Sequence, residues 1–575
     1  MKKILSFLTA ITFHFAAAGD ACACGPDFEN AYLVRGVKEN FLSVPRADFY
    51  KEMAKLIGSA DEYNQDAEFR KRLGWQARDE YKNGDFISSI RHYLEIKDVD
   101  SLYIVSRILT GSDQETVNNA MRDSLVRQVV LAWAVSKEST DYMLENEDEK
   151  ERFGKILNAV EQISGDEDIS TADKIAWIYY NSGDFENTIR WLELAEKDSP
   201  VTIWIEAKLL IMDGDIDSAI DKLKQLLPYF KDSDTDQVKK EIYSEIGVLA
   251  LGREDYLFAF DMLIKGRYWE DIAYMAEKVL SADELEAYIG GHSKESLGYN
   301  NSDYGPGMSS IGDNLRYLLA RRYMRMEMWQ KAMEIMPDAI EVLEYEDYEC
   351  QNIIGKRYDS LVGIKEKMRE YYDFLTAAEN KDLPSPAMAK NYFDAAVIMR
   401  EYGMEISGTE LDPDWFYYGG SFYVGDCLEN RFALTSNSYT MEIFYLTKEW
   451  KSEWYMRNLV DLSKRRREIK MYRDFFTGSQ DEENRVLVSM PRIQQRFHYR
   501  YVAAELMWKC ASLLPDNDPL LVRALYEGGC FLKDRDPKAA DKFYKELVNR
   551  NKETEFGKLA DKKRWFPSRS EFDFS

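Results

Sequence analysis

The stretch from Ser170 to Pro200 reads as one complete two-helix unit, and its spacing returns downstream. Ala176, Tyr179, Gly183, Phe185, Ala195 and Pro200 stand where such a unit needs a small contact, an aromatic knob, a turn glycine, a second-helix aromatic, another small contact and a helix stop. Gly183 recurs as Gly214, 31 residues on, with Ile216, Ala219, Leu223 and Leu226 at the offsets of Phe185, Thr188, Leu192 and Ala195. A third unit carries Gly247, Tyr256, Ala259, Leu263 and Gly266, displaced by an acidic insertion around Asp232, Asp234 and Asp236; Leu319, Ala320, Tyr323, Trp329 and Ala332 mark a fourth. A helical hairpin cannot bury its apolar face alone, so repeated hairpins imply stacking into a continuous core. With 575 residues the chain also exceeds the size at which one closed core stops growing.

The repeat resembles the tetratricopeptide-repeat superfamily, whose period is about 34 residues, over 171 to 280, 313 to 337 and 497 to 563. The resemblance implies an all-α fold, an α-solenoid of helical hairpins interrupted by irregular loops. Thr188 replaces the small Ala usual in that family, and Arg535 stands where a turn glycine is common. The family's ligand-facing positions fall on Asp173, Trp177, Tyr180 and Asn181 in the first clear unit and on Trp204 and Lys208 in the next. They imply a partner-binding groove that is aromatic with mixed charge. Asp173 and Trp177 replace the Lys and Asn of the members that clamp a peptide carboxylate, so that mode of capture is not implied.

The expected organisation is a signal peptide over 1–21, an N-terminal helical region over 22–168, central repeats over 169–345, helices with an aromatic-rich irregular insertion over 346–440, and a C-terminal helical region over 441–575. Lys2 and Lys3 precede an apolar run from Ile4 to Ala18, and small residues from Ala16 to Ala23 offer cleavage sites. Export to the periplasm or outer membrane of a bacterial envelope is the expectation. Cys22 and Cys24 lie where an anchored lipoprotein carries its acylated cysteine, although the usual Leu three residues earlier is missing before each. Six cysteines in the whole chain make no disulfide framework, and Cys510 and Cys530 read as buried small side chains.

Two long loops are expected. One spans Gly290 to Gly312; the other begins after a helix over 386–402, with Ser385 as its cap and Gly403 past its end. The second loop carries Trp415, Phe416, Tyr417 and Tyr418 between Asp412 and Tyr423, a set of rings able to stack on a sugar or to plug the loop onto the helices. The basic run Lys464-Arg465-Arg466-Arg467 reads first as a solvated helix face.

Catalytic signatures are missing. No phosphate loop, nucleotide-binding glycine fingerprint or Gly-x-Ser-x-Gly elbow occurs, and no His-Glu-x-x-His or paired-cysteine spacing suits zinc. Asp213, Asp215 and Asp217 imitate the start of a calcium loop, but Ser218 and Lys224 occupy the positions of its glycine and closing glutamate. With 76 Lys and Arg against 102 Asp and Glu, a net charge of −26 disfavours nucleic acid. The expectation is a non-enzymatic scaffold with no cofactor, holding a protein or peptide partner in the envelope. The alternative is a glycan-capture lipoprotein like the starch-utilisation D-type proteins, which share its size, export and repeats.

Overall fold

The computed structural model describes residues 49–57, 67–136, 147–163, 171–181, 184–230, 237–300, 307–345, 353–416, 479–568 and 571. The protein is mostly helical. It divides into two compact units, one of residues 35–249 with 433–477, the other of 1–34, 250–432 and 478–575. The division at Leu249 and Ala250 falls inside the span expected as one central block.

In the unit containing 35–249, helices pair in chain order: Ala67–Lys82 with Phe86–Glu95, Ala172–Asn181 with Phe185–Leu194, and Pro200–Asp213 with Ile216–Leu226. The connections share one geometry. The amide of Asp85, Asp98, Asp184 and Asp215 donates to the carbonyl five residues earlier at 2.9–3.0 Å, closing the preceding helix. The same aspartates then accept from Ser88, Ser101, Asn187 and Ser218 N–H groups, opening the next. Gly84 and Gly214, just before the cap, take the left-handed conformation that the turn requires (φ 87° and 81°).

The same turn recurs in the other unit at Asp255 and Met328, where Glu254 and Glu327 adopt φ of 64° and 60° without glycine. The turn before Tyr256 therefore lies at Glu254, and Gly247 sits within helix Gln237–Gly252. Further along, helices His498–Ser512, Pro519–Leu532, Pro537–Arg550 and Glu555–Lys563 pack successively. Gly528 lies against Phe543, where a Cβ would come within 2.5 Å of the ring. Cys510 is buried, and burial pushes its thiol up to about 12.

The mostly helical structure is consistent with the all-α expectation, and beside the helices the described residues include a three-stranded antiparallel sheet in the order β1 (Gly307–Ser309), β2 (Ala339–Tyr345), β3 (Ile353–Ser360). Its central strand buries Val342, Leu343 and Glu341 together, so the simple alternation that marks a half-buried strand is absent. Glu341 is kept ionised there, its pKa held at about 2 by Lys356, Tyr299 and Lys294. Part of the expected loop from Gly290 to Gly312 is thus strand β1, with Met308 opposite Leu343.

The helix expected over 386–402 runs from Ser385 to Ser407, with Pro384 as its N-cap and Ser385 supplying no capping bond. Gly403 does not end it. A Cβ at Gly403 would lie 2.4 Å from the Tyr499 ring, so this glycine permits close approach of helix His498–Ser512. Trp508 is 40% exposed, its ring edge-on to Phe543.

Gly403→Ala should lower stability by about 1–3 kcal/mol through overpacking. Gly154→Ala, at a helical site with open space around it, should raise stability by roughly 0.5–1 kcal/mol. Chemical denaturation of both variants checks the contrast, and equal effects would refute the packing role of Gly403.

Candidate functional site

Four of the six residues expected to line a groove are buried. Trp177, Tyr180 and Trp204 are buried, Tyr180 against Phe185 and Trp204 edge-on to Phe230. Lys208 is fully buried and paired with Glu245; burial lowers the lysine and raises the glutamate toward their neutral forms. Asp173 is half-buried, and its carboxylate accepts from Ser199 Oγ at 2.7 Å, tying one hairpin to the start of the next. Asn181 ends helix Ala172–Asn181. Burial makes Trp177, Tyr180, Trp204 and Lys208 packing groups. Tyr417, Tyr418, Cys22, Cys24 and the Lys464 basic run lie outside the described residues.

Among the described residues, a buried ionic core lies in the unit containing 250–432. Helix Trp269–Tyr274 widens into a π-helical turn at Met275–Val279, whose five residues, Glu277 and Lys278 among them, are all buried. One extra residue in the turn aims Glu277 and Lys278 inward, and such bulges concentrate at functional positions. Helix Ile311–Arg325 contributes Tyr317, Arg321 and Arg325 at four-residue spacing, which places them on one face. The segment Ser407–Phe416 crosses that face and inserts Glu410 and Asp414.

The partners are specific. Arg325 pairs with Glu277 and Arg321 with Glu410. Trp269 Nε1 donates to the second oxygen of Glu410 at 2.7 Å, and the Glu410 amide donates to Glu277 at 3.3 Å. Arg321 and Arg325 also donate to the carbonyls of Gly408, and Arg325 to that of Ser407. Arg322 turns to the carbonyls of Ala276 and Leu280, and burial brings its pKa down to about 10. Lys278 donates to the Asp412 carbonyl. Phe416 lays its ring 3.8 Å from the Arg321 guanidinium and edge-on to Tyr317, while Trp415 is half-buried with φ of 61°.

Asp414 completes the anchorage. One oxygen accepts from the Phe497 amide; the other accepts from the Thr409 amide at 3.1 Å and lies 2.8 Å from His498 Nδ1. Burial alone would raise this carboxyl, but His498 and the two amides outweigh it and hold Asp414 below the ordinary carboxylate range.

Both oxygens of Glu277, Glu410 and Asp414 are engaged, so this arrangement is built to hold a chain segment in place. A general acid or base needs a site aimed at substrate, and these carboxylates have spent theirs. No group of three or more His, Cys, Asp and Glu among the described residues is arranged to hold a metal. No motif or spacing in the sequence marks Glu277, Lys278, Arg321 and Arg325 as buried charges.

Compared with protein-family models, curated proteins and solved structures, the chain has no match.

Glu410→Leu should cost about 3–5 kcal/mol because it strands Arg321 in a dry site, whereas adding Arg321→Met should recover part of that loss. Chemical denaturation of the single and double variants measures the coupling; additive losses would sink the pairing. Asp414 is depressed in the fold, so its contribution is complete above the unfolded carboxylate range near pH 4 and is lost as pH falls through the lower folded value. Acid titration of stability should therefore show a step that Asp414→Asn removes.

Proposed function

We propose that this chain is an exported, non-enzymatic scaffold whose tetratricopeptide-like helical hairpins hold a protein or peptide partner in a bacterial envelope. The observation that carries the reading is the recurring turn. Five helix connections, at Asp85, Asp98, Asp184, Asp215 and Asp255, close with the same hydrogen bond to the carbonyl five residues earlier, which is how a repeated stacking unit would be written. Stacked hairpins supply a long preformed surface, and a preformed surface binds without an ordering cost.

With Trp177 and Trp204 buried, the contact surface is assigned to exposed apolar positions. Ile104 and Ile108 stand one turn apart on helix Val99–Thr110 and are 53% and 40% exposed. Adjacent exposed isoleucines on one helix face are a natural anchor for an apolar partner segment. Export rests on the N-terminal basic and apolar runs. No helix among the described residues is long and apolar enough to cross a membrane.

Affinity purification of the tagged full chain from a native envelope, followed by mass spectrometry, should retain a defined partner. That partner should be lost from the Ile104→Glu, Ile108→Glu double variant and kept by Trp508→Ala. Retention by the double variant would overturn the assigned surface. Specific oligosaccharide binding abolished by Trp415→Ala would replace the scaffold reading with glycan capture.

A further inference from the structure

Helix His498–Ser512 begins without a side-chain cap. Its N-cap position is Phe497, in the left-handed conformation with φ of 59°. Asp414 engages the Phe497 amide and the His498 ring, leaving the N–H groups at the start of the helix proper uncapped by any side chain. Around the Phe497 ring stand three guanidinium groups. Their central carbons lie 4.7 Å (Arg496), 4.7 Å (Arg500) and 4.1 Å (Arg535) from the ring centroid. Arg496 and Arg500 flank the helix start, and Arg535 comes from the turn that precedes helix Pro537–Arg550.

Three arginines of this region are matched by carboxylates: Arg492 with Glu505, Arg523 with Glu527, Arg550 with Asp516. Arg500 and Arg535 form no ion pair with a carboxylate among the described residues. The Arg500 Nε is shielded from water and has no acceptor, a condition that proteins seldom tolerate. Two carboxylates of this region are committed elsewhere. Asp414 serves His498 and two amides, and Asp536 caps the Ala539 amide at 2.9 Å.

Attraction to one aromatic ring does not explain three guanidinium groups in a cluster. A ring has two attractive faces, and like charges this close repel. In a chain of net charge −26, such a cluster is also the reverse of the average surface. What resolves the repulsion, the orphaned N–H and the uncapped helix start together is an anion with several acceptor oxygens. Guanidinium forks match the oxygens of phosphate, and a helix N-terminus favours the same charge. Arg535 is exposed while Arg496 and Arg500 are half-buried, so the cluster opens to solvent on the Arg535 side.

We propose that Arg500 and Arg535, with Arg496 beside them and the start of helix His498–Ser512 beneath, form a binding site for a phosphate group. The chemistry is shared by free phosphate, a phosphorylated small solute and a phospholipid headgroup. The site is separate from the scaffold surface at Ile104 and Ile108 and stands whether or not that surface binds a partner.

Isothermal titration of inorganic phosphate into the full chain, at constant ionic strength, should show saturable binding. Arg535→Ala, an exposed turn position, should weaken it by at least about tenfold, the loss of one charge-assisted contact. Arg500→Lys should weaken it less, because charge is kept and the fork is lost. Arg492→Ala should leave it unchanged. Saturation by phosphate with equal affinity in the wild type and Arg535→Ala, or no binding by the wild type, overturns the proposal. Co-sedimentation with phosphatidylcholine vesicles containing phosphatidic acid, lost in Arg535→Ala, identifies the source as a lipid headgroup. Phosphate binding without co-sedimentation identifies a soluble one.

Discussion

The turn that reverses one helix into the next is the constraint from which the helical architecture follows. A helix leaves its last carbonyls unpaired, and the next helix starts with unpaired amides. At Asp85, Asp98, Asp184 and Asp215 a single residue answers both needs, its amide reaching back five residues and its carboxylate capping forward. Each such cap contributes about 1 kcal/mol, and each holds two helices within side-chain reach. Once that geometry is set, Phe86 and Tyr256, the first residues of second helices, fall into the interior. Lys97, Glu254 and Glu327 take the left-handed conformation with a Cβ, at a cost of roughly 1–2 kcal/mol each. Packing of the flanking helices imposes the turn even where glycine does not invite it.

A different principle governs the segment Ser407–Phe416. Apolar packing alone would tolerate a shift of such a loop, because apolar contact has no direction. Ion pairs and amide hydrogen bonds have one. Glu410 reaches Arg321 and Trp269, Asp414 reaches Phe497, Thr409 and His498, and the carbonyls of Ser407 and Gly408 reach Arg325. Desolvation offsets much of the attraction in each pair. What survives is position: any other placement of the loop leaves a carboxylate or guanidinium dry and unpaired.

The helices from His498 to Lys563 follow local signals: Asp518, Asp536 and Thr554 cap three of them, and Pro519 and Pro537 are the first residues of two. The hairpins at Gly183 and Gly214 were legible for the same reason. The role of Gly403 was not, because a glycine that ends a helix and one that admits a neighbouring ring look alike in sequence. The sheet was missed because Glu341 sits among apolar residues in its central strand and is accommodated only by Lys294, Lys356 and Tyr299, which arrive from elsewhere. Trp177, Trp204 and Lys208 read as ligand-facing positions and are buried, because which way a helix face turns is a property of the neighbouring helices.

By itself the sequence determined the helices, their caps and the repeating turn, because those depend on hydrogen bonds between residues within about five positions of one another. Only the tertiary structure decided which charges are buried. Glu277 with Arg325, Arg321 with Glu410 and Asp414 with His498 are separated by tens of residues along the chain. The gathering of Arg496, Arg500 and Arg535 around Phe497 likewise needs two helix ends to meet. A local pattern carries no record of those distances, since the free energy of a buried charge is set by the partner that folding brings to it.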